Sequence, residues 1–253
     1  AHIRQFLTDT DFCSPKKQRA VNCWVNKHNF EIFGLLETKM FAPDSANRCI
    51  ATFKNKGFDH FVDDSTMGRL LIFWKAHMKI TILDAFDQGV ICHVDNGLHK
   101  YFVGFIYGRN DPMRRKLLWH KIQLWSGWCE EGCFILLGDF NEVLCCGDRS
   151  STFYTPNTAE DFLNCLANTN LQEIRTLGPR FTWTNKNSQG NVIASKLDRC
   201  FVNPNWMDIF SESFATLDMP GVSDHCSLIL HLKQKQNTTP KPFKFYNAWT
   251  THS

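Results

Sequence analysis

Runs of apolar residues that break abruptly into charge set the rhythm of this chain. FEIFGLLETK, GRLLIFWK, KITILDAF, GVICHVDN, KYFVGFIYGR and CFILLGDFN each read as a β-strand, FEIFGLLETK as a buried one whose C-terminal end opens toward a site. Asp95-Asn96-Gly97 between two of them is a hairpin signal. Helical spacing takes over at Ser14-Pro15, an N-cap followed by proline, after which Val21, Trp24, Val25 and His28 form a stripe. Asp111-Pro112 opens a second helix with Leu118, Ile122 and Trp125 on one face. A third is expected from about Thr158, with Asp161 placed for a capping box and Phe162, Leu163 and Leu166 facing inward. The last third reads as strands: RFTWTN, VIASKLDRCFV, ESFATLDMP and CSLILHLK, with a turn at Asn203-Pro204. The pattern predicts one α/β domain over residues 1–233. The polar, proline-bearing stretch 234–253 reads as a linker.

Composition sharpens this only in places. A 43% apolar and 13% aromatic content, with 22 Phe and 8 Trp, supports wide sheets with bulky interiors and excludes global disorder. A net charge of +3 is compatible with a phosphate-bearing partner but does not demand one. The 11 cysteines are odd in number and lie mostly inside apolar runs, as buried thiols do in a reducing compartment, so an intracellular place, nuclear or cytoplasmic, is expected. Neither Cys129/Cys133 nor Cys145-Cys146 has a second pair at zinc-ligand spacing. No apolar run is long enough for a membrane span, and AHIRQFLTDTDF has no signal-peptide core. The first residue is Ala rather than Met, which suggests a piece of a longer chain.

Polar clusters close four of the apolar strands: Glu37 in LLETK, Asp139 and Asn141 in LLGDFN, Asp198 in SKLDR, and Ser223-Asp224-His225 in GVSDHCSL. One acidic residue after a strand is ordinarily a cap or a solvated turn. Several of them at strand ends are what a ligand site in a layered α/β fold requires. The residue types suit phosphodiester hydrolysis, which needs charge on the phosphoryl oxygens neutralised, a water activated and a leaving oxygen protonated. Magnesium asks for only one or two carboxylates, a demand that Glu37 with Asp224 meets. His225 is suited to the proton, with Asp198 holding its ring. Asn141 is suited to donating to phosphate and Asp139 to orienting the water.

In their order and rough spacing, LLETK, IYG, LLGDFN, FTWTN, SKLDR and VSDHCSL resemble the endonuclease/exonuclease/phosphatase superfamily. With SPKKQRAV, GRLLIFW and PKPFKFYNAW added, the chain is similar to the apurinic-endonuclease-like domain of LINE-type (non-LTR) retrotransposons over about residues 14–249. The resemblance implies a four-layer sandwich of two mixed β-sheets flanked by helices, an α/β (α+β) fold with a magnesium site at one edge, where manganese is an alternative. It implies Glu37 as metal ligand and Asp224 on the metal side. Tyr107 would lie against the scissile phosphate, Asp139 and Asn141 beside the attacking water, and Asp198 against His225. Thr182 and Ser195 match positions that approach the DNA backbone, Trp183 lies in the same loop region, of the kind that chooses the target site, and Lys39, Arg180, Lys186, Lys196 and Arg199 are the cations expected at the DNA. The partner implied is DNA, the state a monomer, and the context a reverse transcriptase domain beyond this chain. One departure stands out: the first strand, within residues 1–13, has Thr8 where the resemblance calls for Asn, and Asp11 where it calls for Gly. Loss of that amide implies impaired activity. Two other readings stay open, a catalytically silent DNA-binding relic and a superfamily phosphatase or RNase.

Overall fold

The computed structural model describes residues 2–7, 15–28, 30–38, 43–62, 69–151, 156–185, 192–218 and 223–234. In chain order the elements are β1 (His2–Leu7), α1 (Pro15–His28), β2 (Ile32–Leu36), α2 (Pro43–Lys54), β3 (Phe58–Val62), β4 (Leu70–Lys75), β5 (Lys79–Phe86), β6 (Gly89–Asp95), β7 (Lys100–Tyr107), α3 (Pro112–Trp128), β8 (Phe134–Asp139), α4 (Pro156–Thr169), β9 (Gln172–Glu173), β10 (Thr176–Leu177), β11 (Trp183–Thr184), β12 (Ala194–Ser195), β13 (Asp198–Val202), α5 (Pro204–Ile209), β14 (Phe214–Asp218) and β15 (Ser227–His231).

Two mixed sheets lie face to face. One has the order β10-β14-β15-β1-β2-β4-β3 and the other β5-β6-β7-β8-β13-β9, while β11 and β12 form a small hairpin of their own. Each large sheet has a central parallel pair, β1 with β2 and β7 with β8, and the seven-stranded sheet has a second at its edge, β10 with β14. Side chains of β2 alternate between two interiors. Ile32 and Leu36 enter the core between the sheets, whereas Phe33 and Leu35 face the outer layer where Val21, Val25 and Phe53 of α1 and α2 pack. β8 repeats the arrangement, with Ile135 and Leu137 inward and Phe134 and Leu136 against Leu118, Ile122 and Trp125 of α3. Covered on both faces, these strands have no solvated side, which is why they read as unbroken apolar runs. The expected four-layer sandwich is the observed architecture.

Most expected elements form where the pattern puts them. Asp95-Asn96-Gly97 turns β6 into β7, with Gly97 at φ 84° and its N–H donating to Asp95 Oδ1. Asp111 caps α3 by accepting from Met113 N. β1 sits between β15 and β2 in mid-sheet, and Thr8 lies outside the described residues. Several expectations need correction. α4 begins at Pro156, so Asp161 is inside the helix and pairs with Lys116 instead of capping, and Leu163 is exposed rather than inward. Asn203-Pro204 is the N-terminus of α5, with Asn203 Oδ1 accepting from Trp206 N. VIASKLDRCFV is two short strands. They separate because Thr182 Oγ1 accepts from the N–H of both Leu197 and Asp198, replacing the ladder there. α2 and β3 go unsignalled by the pattern reading. All 10 described cysteines are free, and burial pushes the thiols of Cys92, Cys129, Cys165 and Cys226 up to about 12, so those side chains are inert. Among the described residues, no helix is long and apolar enough to cross a membrane.

Candidate active site

Strand register assembles one half of the site. Tyr107, the last residue of β7, pairs with Asp139, the last of β8, which in turn pairs with Asp198, the first of β13. A row across three strands thus carries two carboxylates side by side. The other sheet supplies Glu37, which leaves β2 in the left-handed region at φ 54°, and Asp224-His225, which enter β15. Left-handed backbone is uncommon outside glycine and is held here by surrounding structure. These loops meet in a cleft of about 520 Å³ lined by Glu37, Tyr107, Asn110, Arg115, Asp139, Asn141, Glu142, Val143, Arg149, Trp183, Ser195, Leu197, Asp224 and His225.

His225 Nδ1 lies 3.0 Å from Asp198 Oδ2, both side chains buried. Burial opposes charge on the imidazole. The charge of Asp198, its hydrogen bond, and the charges of Asp139 and Asp224 outweigh that and push His225 up to about 10. Asp139 moves the other way from a free carboxylate. Burial first, then Asp198 and Glu37, raise it to about 7, against the opposing pull of His225 and the Asn141 N–H. Burial also raises Tyr107, helped by the charge of Glu37 and a hydrogen bond to it, so the phenol stays protonated.

Asp224 is fixed from two sides, accepting from Trp183 Nε1 at 2.9 Å and from Ser223 Oγ at 3.5 Å. Asn141, at φ 52°, donates through Nδ2 to Gly108 O at 3.2 Å and to Asn110 Oδ1. An amide nitrogen has two hydrogens, so both are committed to the neighbouring loop and the carbonyl oxygen is the end left for the cleft. That reverses the donor role expected for Asn141.

Asp139, Asp198 and His225 place potential ligand atoms within 4.8 Å of one another. With its Nδ1 held by Asp198, the His225 imidazole is suited to handling a proton. The cleft does fit a hard cation. Glu37, Asp139, Asn141 and Asp224 are all oxygen donors, the Asp198 Oδ1 is buried with no partner among the described residues, and Asp139 is short of positive charge.

Of the expected residues, the cleft gathers Glu37, Tyr107, Asp139, Asn141, Trp183, Ser195, Asp224 and His225, with Asp198 directly behind His225. Two take other places. Thr182 is buried, its hydroxyl holding the start of β13, so it acts on Asp198 from behind rather than on a ligand. Arg199 is 2% exposed and paired with Asp148 and Glu173, so it cannot reach a backbone phosphate. Lys196 also pairs with Glu173, and Arg180 donates to Gly147 O. Lys39 and Lys186 lie outside the described residues. Asn110, Arg115, Glu142 and Arg149 join the cleft without having been foreseen. Glu142 was legible as the residue after GDFN, whereas nothing in MRRK sets Arg115 apart.

The family model described as "Endonuclease/Exonuclease/phosphatase family" matches residues 12–225. No curated protein sequence matches the chain. Among solved structures, it is similar in fold to the endonuclease domain of TRAS1, a telomere-specific non-LTR retrotransposon (TM-score 0.70, 13% identity, 93% of this chain and 99% of that one). The AP endonuclease LMAP from Leishmania major gives a TM-score of 0.71 at 16% identity, covering 92% of this chain and 87% of that one. D. rerio TDP2, solved with a single-strand DNA product, gives 0.60 at 14% identity, covering 90% and 97%.

Proposed function

Because the chain belongs to the endonuclease/exonuclease/phosphatase family, we propose that this site hydrolyses a phosphodiester of DNA with the help of magnesium or manganese, as the nicking endonuclease of a LINE-type retroelement. The observation that carries the reading is the convergence of Glu37, Tyr107, Asp139, Asn141, Asp224 and His225 from both sheets onto one cleft. The motifs that support the retroelement context are SPKKQRAV, GRLLIFW and PKPFKFYNAW, with the fold shared with the TRAS1 domain beside them. A reverse transcriptase partner and the monomeric state belong to this proposal as well.

A bound divalent ion, held by Glu37 with Asp224 on its side, would neutralise charge on the phosphoryl group. His225, kept positive by Asp198, binds the phosphate and holds at Nε2 a proton suited to the departing oxygen as its bond to phosphorus breaks. Tyr107, kept as a phenol by burial and hydrogen-bonded to Glu37, lies against the phosphate and holds the Glu37 carboxylate in place. Asp139, near neutrality in proton affinity, is suited to take a proton from the attacking water, and the carbonyl oxygen of Asn141 orients that water's other hydrogen. Trp183, on the hairpin beside the cleft, offers an aromatic surface to DNA while its N–H keeps Asp224 in place.

The test is plasmid nicking in magnesium, in manganese and in EDTA, comparing the chain with His225→Ala. The chain converts supercoiled plasmid to open circles only with metal, and the variant loses about 10²–10⁴-fold in rate. Equal nicking by both would remove the site from the reaction. No nicking by either, with retained duplex binding, would favour the silent relic that Thr8 in place of Asn suggests.

A further inference from the structure

A closed ring of contacts joins the two loops that carry the polar groups of the cleft. Arg115, four residues beyond the N-cap of α3, is 4% exposed. Its Nη1 donates to Arg109 O at 2.7 Å and Asn110 O at 2.8 Å, in the loop after β7. Its Nη2 donates to Glu142 Oε2, in the loop after β8, where the carboxylate is equally buried. The ring closes through Asn141, whose Nδ2 donates to Asn110 Oδ1 and Gly108 O. Glu142 Oε1 also accepts from Val143 N at 3.2 Å. Two ions have been taken out of water next to a cleft that holds further carboxylates. A buried pair of this kind is weak support for stability, because matched apolar residues do as well or better. Its geometric content is larger: a planar guanidinium holds three acceptors in one plane, which an ammonium cannot do.

Resting on the phosphodiesterase reading of the same cleft, we propose that Arg115 and Glu142 are a positioning pair that fixes which end of the Asn141 amide faces the substrate. Arg115 holds the main-chain oxygen of Asn110, and so the backbone of the loop from which Asn110 Oδ1 and Gly108 O accept from the NH2 end of Asn141. The acceptor end then points toward the attacking water. With the clamp gone, the amide is free to turn, and a donor replaces an acceptor beside the nucleophile. The pair touches no reacting atom, so its loss acts on turnover more than on binding.

Three variants test this: Arg115→Lys, Glu142→Gln, and the apolar double variant Arg115→Met with Glu142→Leu. The readouts are melting temperature, hydrogen exchange of residues 108–110 and 139–143 in the free protein, and kcat and KM for plasmid nicking. The double variant is expected to melt near the wild-type temperature yet lose protection in both loops, with kcat down about 10–100-fold and KM within about threefold. Arg115→Lys is expected to lose protection over 141–143, which Arg115 reaches only through Glu142 and Asn110. Wild-type kcat in the double variant, or unchanged protection over 141–143 in Arg115→Lys, would overturn the inference. Should the double variant fail to fold, Glu142→Gln, which keeps the shape and loses the charge, carries the same comparison. If the wild-type chain nicks nothing, the proposed function fails, and hydrogen exchange still decides whether the pair holds the loops.

Discussion

The charge on Asp139 is where this site is least comfortable without a metal. Its carboxyl is buried, faces Asp198 across the strand pair and is raised from 3.8 to about 7. A folded-state value above the unfolded one means the folded chain binds that proton more tightly. The contribution to stability is therefore complete below the ordinary carboxylate range and is lost as pH rises through about 7. Asp139→Asn keeps an oxygen for the Asn141 N–H and removes the titration. In EDTA, its stability relative to wild type should rise between pH 4 and pH 7 by up to about 1.4 kcal/mol per pH unit, then level off. Asp139 is one of the charges that raise His225, so the comparison is read below pH 8, well under the value of about 10 to which His225 is raised. Denaturant midpoints across pH measure the difference. A difference that stays flat from pH 4 to pH 8 would mean Asp139 is not strained by its neighbours.

At the scale of elements, the site depends on β7 and β8 running close and in parallel, and Gly138 is what permits it. Paired with Ile106, it has no room for a side chain, since a Cβ there would come within 2.1 Å of the Ile106 carbonyl oxygen. Backbone cannot move aside as a side-chain tip can. Gly138→Ala should cost about 3 kcal/mol, read as a lower urea midpoint, by prying apart the strands that end in Tyr107 and Asp139. A midpoint within experimental error of wild type would remove the close approach as a constraint. The same element explains what a linear reading can reach. ILLGDFN announces both the buried strand and the polar loop, because burial on two faces and a sharp change of polarity are one-dimensional signals. Among its described side chains α2 has Cys49, Ile50 and Phe53 as apolar anchors in a polar-looking stretch, and β3 mixes Asp59 and His60 into its face, so neither shows a clean period. α5 carried an N-cap and proline like α3, but its six residues are too few for periodicity to emerge. The cleft residues at strand ends were legible for the same reason as the strands. The Arg115–Glu142 pair and the burial of Arg199 were not, because a charged residue looks the same in sequence whether its partner is water or a carboxylate across the fold.

Across the whole molecule, charge is arranged to hold the cleft together more than to attract a polyanion. The chain has 28 Lys and Arg against 25 Asp and Glu. Around the cleft, Arg109 pairs with Asp87, Arg115 with Glu142, Lys196 with Glu173, and Arg199 with Asp148 and Glu173. Cations bound to carboxylates within the fold release few counterions when a duplex arrives. On the proposed function, Arg149, which lines the cleft, and Arg180, which donates to the main-chain oxygen of Gly147, would be the foremost phosphate contacts among the described residues. Binding to duplex DNA should therefore weaken only moderately with salt, with a slope of log K against log salt of about −2 to −4, corresponding to about two to four phosphates. Arg149→Ala should make the slope shallower by about 1, whereas Arg199→Ala should unsettle folding and leave the slope of the folded fraction unchanged. Fluorescence anisotropy of a labelled duplex, in a catalytically silent His225→Ala background and across a salt series, measures both. A slope steeper than about −6 would mean that the duplex is gripped by a basic surface well beyond the cleft.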